Sequence, residues 1–184
     1  MRAASHVARN LVVSASFVLF AGCATLTQWG PQDNLVGGWD PNKWTECRDW
    51  QYLGVRMFTC VPTGERHDNW TQQFRRQTQR RGSLPPASEM AAQSIELMSK
   101  ACSTFVQNVI SEQSEPQGDV EQSILLEEEQ RECPDYPDGY SISRILYGRF
   151  TVFEIAYIAK TREIARERRD EWLKQLSEAT ISKP

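Results

Sequence analysis

Five cysteines, Cys23, Cys47, Cys60, Cys102 and Cys133, are the residues of this 184-residue chain best suited to covalent chemistry. Cys23 stands apart. It follows Ala21-Gly22 near the end of an apolar run from Leu11 to Leu26, and Arg2 and Arg9 give that run a basic start. The core of the run, Leu11 to Phe20, is too short to cross a bilayer, which needs roughly 20 apolar residues. It has the length of a signal-peptide core. The other four cysteines are an even number, which suits disulfides in an oxidising compartment. Four cysteines allow three connectivities, and the expected one is Cys47–Cys60 with Cys102–Cys133. The first closes a short loop; the second ties a helix to a later segment and contributes about 3–4 kcal/mol by loop closure. No C-x2-C pair occurs, so a zinc site built from these cysteines has poor support.

The stretch Phe20-Ala21-Gly22-Cys23 resembles the lipobox of bacterial lipoproteins, with Phe20 where leucine is usual. The resemblance implies that the Cys23 thiol receives a diacylglycerol, that residues 1–22 are removed, and that the new amine is acylated. More than one acyl chain makes attachment stable, at about 0.8 kcal/mol per buried methylene. Ala24, being other than Asp, implies export to the outer membrane with the domain facing the periplasm. The membrane is then the first partner, reached through lipid.

Other chemistry is sparse. After removal of residues 1–22, His67 is the one histidine, in the turn-rich link "PTGERHDN". A Ser–His–Asp or Cys–His site would have to use it, and the expected reading is a solvent-exposed side chain. No G-x-x-x-x-G-K-[ST] or G-x-G-x-x-G phosphate loop is present. Glu127-Glu128-Glu129 suggests a metal site, but consecutive residues point to different sides, so a solvated charge run is expected. Neither a metal nor a cofactor is expected. The chain carries −3, and losing Arg2 and Arg9 takes it to −5. A mildly acidic chain argues against a nucleic-acid partner. The cluster Arg75-Arg76 and Arg80-Arg81 is a local exception, read as a solvated strand end.

These residues need elements to hold them. Residues 23–45, rich in Gly, Pro, Asn and Asp, read as a lipidated N-terminus and tether, and residues 46–184 as one domain. "WQYLGVRMFTCVP" reads as a strand, and "NWTQQFRRQT" as a half-buried one. From Pro86, Ala87, Met90, Ala91, Ser94, Ile95, Met98, Ala101, Cys102 and Phe105 fall on one helical face. "VQNVIS" reads as a short strand and "VEQSILLEEEQREC" as another. "YSISRILYGRFTVFEIAYIAK" gives two strands around Gly148, the later one apolar on both faces and so central. "TREIARERRDEWLKQLSEA" is a helix capped by Thr161, with Ile164, Trp172, Leu176 and Ala179 as its packing line.

This order predicts an α+β fold, with a mainly antiparallel sheet flanked by two or more helices. The segments "VPTGERHDNWTQQF", "YSISRILYGRFTVFEIAYIAK" and "EWLKQL", with Cys102 and Cys133 between them, are similar to a group of small secreted proteobacterial proteins. That resemblance, over roughly Trp50 to Ala179, implies a PsbP-like α/β/α sandwich and brings no activity with it. The expected function is a non-enzymatic, membrane-anchored periplasmic lipoprotein that binds an envelope protein as an assembly or secretion-system accessory. The alternative is a small-ligand carrier with an apolar pocket between helix and sheet, lined by Trp70, Phe74, Phe153 and Tyr157.

Overall fold

The computed structural model describes residues 32–38, 43–82, 84–134 and 138–184. The expected signal peptide and Cys23 lie outside the described residues. The elements run β1 (Asn34–Val36), β2 (Trp44–Tyr52), β3 (Val55–Pro62), β4 (Gln72–Arg80), α1 (Ala87–Ala101), β5 (Thr104–Gln113), β6 (Gln122–Arg131), β7 (Gly139–Tyr147), β8 (Thr151–Ala159), α2 (Arg162–Ser177) and β9 (Thr180–Ser182).

The sequence TVFEIAYIA of β8 has apolar residues on both sides of a period-two strand, so it must be covered on both faces. All nine of its residues are buried. It stands fourth in a seven-stranded sheet of order β2-β3-β4-β8-β7-β6-β5, in which every neighbour pair is antiparallel. Phe153, Ile155 and Tyr157 join the cluster of α2, through Ala165, Trp172 and Leu176. Val152 joins the cluster of α1, through Ala87, Met90 and Ala91. Trp172 stacks on Tyr157 with ring centroids 4.7 Å apart, and meets Phe74 at 6.1 Å and Trp44 at 5.7 Å. Thr161 caps α2, its hydroxyl accepting from the Ile164 N–H at 3.4 Å.

The expected helix-flanked α+β sandwich of PsbP-like layout is corrected by this topology. The fold is β-rich: a seven-stranded antiparallel sheet, a small β1–β9 pair, and two helices among the described residues. Two misread segments account for the difference. "VQNVIS" belongs to a ten-residue strand, β5. "WQYLGVRMFTCVP" is not one strand but most of the β2–β3 hairpin, turning at Leu53 (φ 47°) and Gly54 (φ 80°). A leucine at positive φ is not a turn signal, so the turn was hidden. Much of the sheet margin needs no helix over it, because antiparallel strands can leave a polar face in water; Glu46, Arg48 and Asp49 on β2 are exposed.

The segment read as tether is also partly built into the domain. β1 pairs antiparallel with β9, Leu35 facing Ile181. Just before it, the buried Asp33 carboxylate accepts the backbone N–H of Phe150 at 2.8 Å and of Thr151 at 2.9 Å. The N-terminal segment is therefore fixed to the β7–β8 turn. Cys47 bonds to Cys60 across β2–β3, and Cys102 bonds to Cys133, joining the end of α1 to the link after β6; both pairs have Cα atoms 4.1 Å apart.

Candidate functional site

Because α2 lies over β7 and β8, the β5–β6 margin on that side stays open. Alternate residues of a strand share a face, so Thr104, Val106 and Asn108 of β5 line up beside Glu127, Glu129 and Arg131 of β6. With Tyr140 of β7 and Arg162 of α2 they line a groove of about 430 Å³. Its carboxylates are matched by guanidinium groups. Arg169 grips Glu127 with two hydrogen bonds, at 2.6 and 3.1 Å. Glu129 accepts from Arg131 Nε at 2.8 Å and pairs with Arg162 at 3.6 Å.

The groove adjoins the outer edge of β5, which among the described residues pairs only with β6. From Thr104 to Ser111 this strand carries no charged residue, and Val106, Val109 and Ile110 are exposed. Such an edge presents unpaired backbone groups to any chain that can lie along it. The opposite edge, β2, carries Glu46, Arg48 and Asp49. A register shift at Ile110 interrupts β5, leaving Thr104 to Val109 as the regular stretch. Chemically, the site offers backbone hydrogen bonds, apolar contacts and paired charges, which suit the recognition of polypeptide.

The Glu127–Glu129 run is not solvated as expected. All three are half-buried. Glu128 also borders the groove, but its carboxylate turns to the other face of the sheet, where Gln107 Nε2 donates to it at 2.6 Å and the Ser141 hydroxyl at 3.3 Å. Burial raises its pKa above the usual carboxylate value. Among the described residues, no group of three His, Cys, Asp or Glu is placed to hold a metal ion.

Of the basic cluster, Arg80 is exposed at the end of β4 as expected, but Arg75 and Arg76 are not a solvated strand end. Arg75 is buried and donates to Glu154 at 3.0 Å, and Glu154 also accepts from Gln77 at 3.0 Å. Arg76 lies 4.9 Å over the Phe58 ring. His67, expected exposed, is half-buried, and its Nε2–H donates to the Glu46 carbonyl at 2.9 Å. Burial, then the charge of Arg48, lowers its pKa. The residues expected to line an apolar pocket do not share one. Phe74, Phe153 and Tyr157 pack in the α2 cluster, where Trp172 stacks on Tyr157 and Phe74, whereas Trp70 packs with Ala156 and Ile158 on the other face. Sequence reasoning took Cys23, which lies outside the described residues, and the four disulfide cysteines as its sites and missed the β5 edge, whose signal was the eight-residue uncharged run TFVQNVIS.

No family model matches the chain, and no curated protein matches it.

Proposed function

We propose that the chain is a non-enzymatic bacterial lipoprotein, anchored through Cys23 to the outer membrane and facing the periplasm, whose domain binds an extended segment of another envelope protein along β5. The observation that carries the binding role is the contrast between the two sheet edges. β2 is guarded by charges, the usual defence against unwanted strand addition. β5 has none over Thr104–Ser111 and exposes Val106 and Val109. An added strand takes its affinity from main-chain hydrogen bonds and its specificity from alternate side chains. The groove lined by Glu127, Glu129, Arg131 and Arg162 lies where those side chains would descend. The anchor rests on the lipobox-like residues Phe20 to Cys23.

The test is site-specific photocrosslinking in the native cell. A photoreactive amino acid replacing Asn108 is expected to give a discrete adduct with one envelope protein, and the same probe replacing Arg48 on β2 is not. Val109→Lys, which puts a charge on the edge, is expected to abolish the Asn108 adduct while leaving the melting temperature within about 2 °C. Equal absence of adducts at both edges would remove this reading.

A further inference from the structure

The β2–β3 turn carries a leucine where the backbone disfavours one. Leu53 has φ 47°, a conformation usually left to Gly, Asn or Asp, and its side chain is 52% exposed. Neither turn chemistry nor core packing accounts for it. Strain of this kind points to a role outside the fold. Tyr52 beside it is 50% exposed, and Phe150, at the tip of the β7–β8 turn, is 36% exposed.

The sheet register places these residues at one end of the molecule. Arg56 pairs with Thr78, Thr78 with Phe153, and Arg80 with Thr151. Leu53 and Phe150 both lie just beyond the last paired residues, and the strands between set them about 10–15 Å apart. Arg149 stands 5.1 Å over the Phe150 ring, and the Arg81 N–H donates to the Phe150 carbonyl at 2.9 Å. The opposite end differs. Its described turns and links, at residues 63–69, 102–103, 132–134 and 160–161, hold no large exposed apolar side chain, and Trp70 is half-buried beneath Lys160.

The first described residues lie at this same end, which also carries the β5–β6 turn with Glu115 and Asp119. Asp33, which follows Cys23 by ten residues, is bonded to Phe150 and Thr151 at the Phe150 tip. The ten residue steps from Cys23 to Asp33 reach at most about 35 Å even when fully extended. We propose that this end of the sheet rests on the bilayer, with Tyr52, Leu53 and Phe150 seated in its interfacial region. The proposal rests on lipid attachment at Cys23. Aromatic rings are favoured at that depth, and Arg149 is placed to meet lipid phosphate. Docked this way, the domain holds its His67 end away from the membrane and the β5 edge along its flank, open to a partner.

The experiment is hydroxyl-radical footprinting of the lipidated full chain, purified from its membrane, on vesicles of phosphatidylethanolamine and phosphatidylglycerol. Intact mass comes first, and a chain without acyl groups at Cys23 overturns the anchor and the docking together. With lipid present, labelling of Tyr52, Leu53 and Phe150 is expected to fall at least threefold on vesicles relative to the lipid-free chain released by proteolysis within residues 24–31. Labelling of His67 and Val109 is expected to stay within a factor of about 1.5. In the lipidated Leu53→Asn/Phe150→Ser variant, Tyr52 labelling is expected to return to the lipid-free level; asparagine suits the positive φ, so the turn is kept. Equal labelling at the two ends, with lipid present, overturns the docking alone. Protection that needs an added envelope protein assigns the tips to that protein and overturns the docking too.

Discussion

Asp33 and Thr151 are joined by two reciprocal hydrogen bonds: the Thr151 N–H donates to Asp33 Oδ2 at 2.9 Å, and the Asp33 N–H donates to the Thr151 hydroxyl at 3.2 Å. They are 118 residues apart in the chain. A third bond, from the Phe150 N–H at 2.8 Å, completes the clamp. Asp33→Ala leaves the buried Thr151 N–H and the Phe150 N–H without this acceptor, a loss of about 1–3 kcal/mol. The expected result is a melting temperature lowered by several degrees. Amide exchange in β1 and β9 should rise more than exchange in β8. An unchanged melt with unchanged exchange would show that the N-terminal segment does not brace the domain.

Gly148 is required by the same clamp, for reasons of space. A Cβ there would lie 2.4 Å from Asp33 Oδ2 and 2.8 Å from its Cγ. Gly148→Ala therefore displaces the carboxylate from the two N–H groups. Its cost should resemble that of Asp33→Ala. The decisive measurement is the double variant: once the carboxylate is gone the methyl meets only the Cβ of residue 33, at 3.3 Å, so the combined loss should be clearly less than the sum of the two. Strict additivity would mean that Gly148 serves something other than Asp33.

Arg75 and Glu154 form a buried ion pair between β4 and β8, with side chains 5% and 3% exposed. Removing one partner strands a charge, which costs about 3–5 kcal/mol. Glu154→Gln and Arg75→Met are each expected to fall in that range by denaturant melts. The double variant buries neither charge, and the introduced glutamine still offers an oxygen to Gln77, so it should recover much of the loss. A double variant as unstable as the sum would assign the cost to packing instead.

How much of this was legible in the sequence depends on which force set each element. The central place of β8 was readable, because apolar residues on both faces allow no other position. The helix after Pro86 and the Thr161 cap were readable for the same local reasons. The roles of charged residues were not. Arg75 and Arg169 look alike on paper, and only the packing of elements far apart in sequence decides which is buried against Glu154 and which closes a groove with Glu127. The β2–β3 turn was hidden because Leu53 breaks the turn rule. The balance of sheet over helix was misjudged because an edge strand such as β5 lacks the alternation that marks a half-buried one. The groove inherits that difficulty, since its residues come from three strands and a helix.

Glu128 gives the molecule a pH-dependent strain whose sign is set by burial. Desolvation raises its pKa above the ordinary 4.5; Glu154 adds to the rise, while Gln107, Ser141 and Arg75 oppose it. Below pH 4.5 the carboxyl is protonated in both the folded and the unfolded chain, and the strain is absent. As the pH rises through the window from 4.5 to the raised value, the unfolded chain releases its proton while the native one holds it, so stability falls. Above that window the full penalty is present. Glu128→Gln keeps an oxygen for Gln107 and a donor for the Ser141 hydroxyl while removing the charge. It is therefore expected to raise the melting temperature at pH 7 and to give a much smaller gain at pH 4. Glu127→Gln, one residue away, weakens the partly exposed pair with Arg169 and should lower stability at pH 7 by at most about 1 kcal/mol. The comparison is made by melting each variant beside the parent chain across pH 4–8. A Glu128→Gln gain of the same size at both ends of that range would trace the effect to packing rather than to the buried charge.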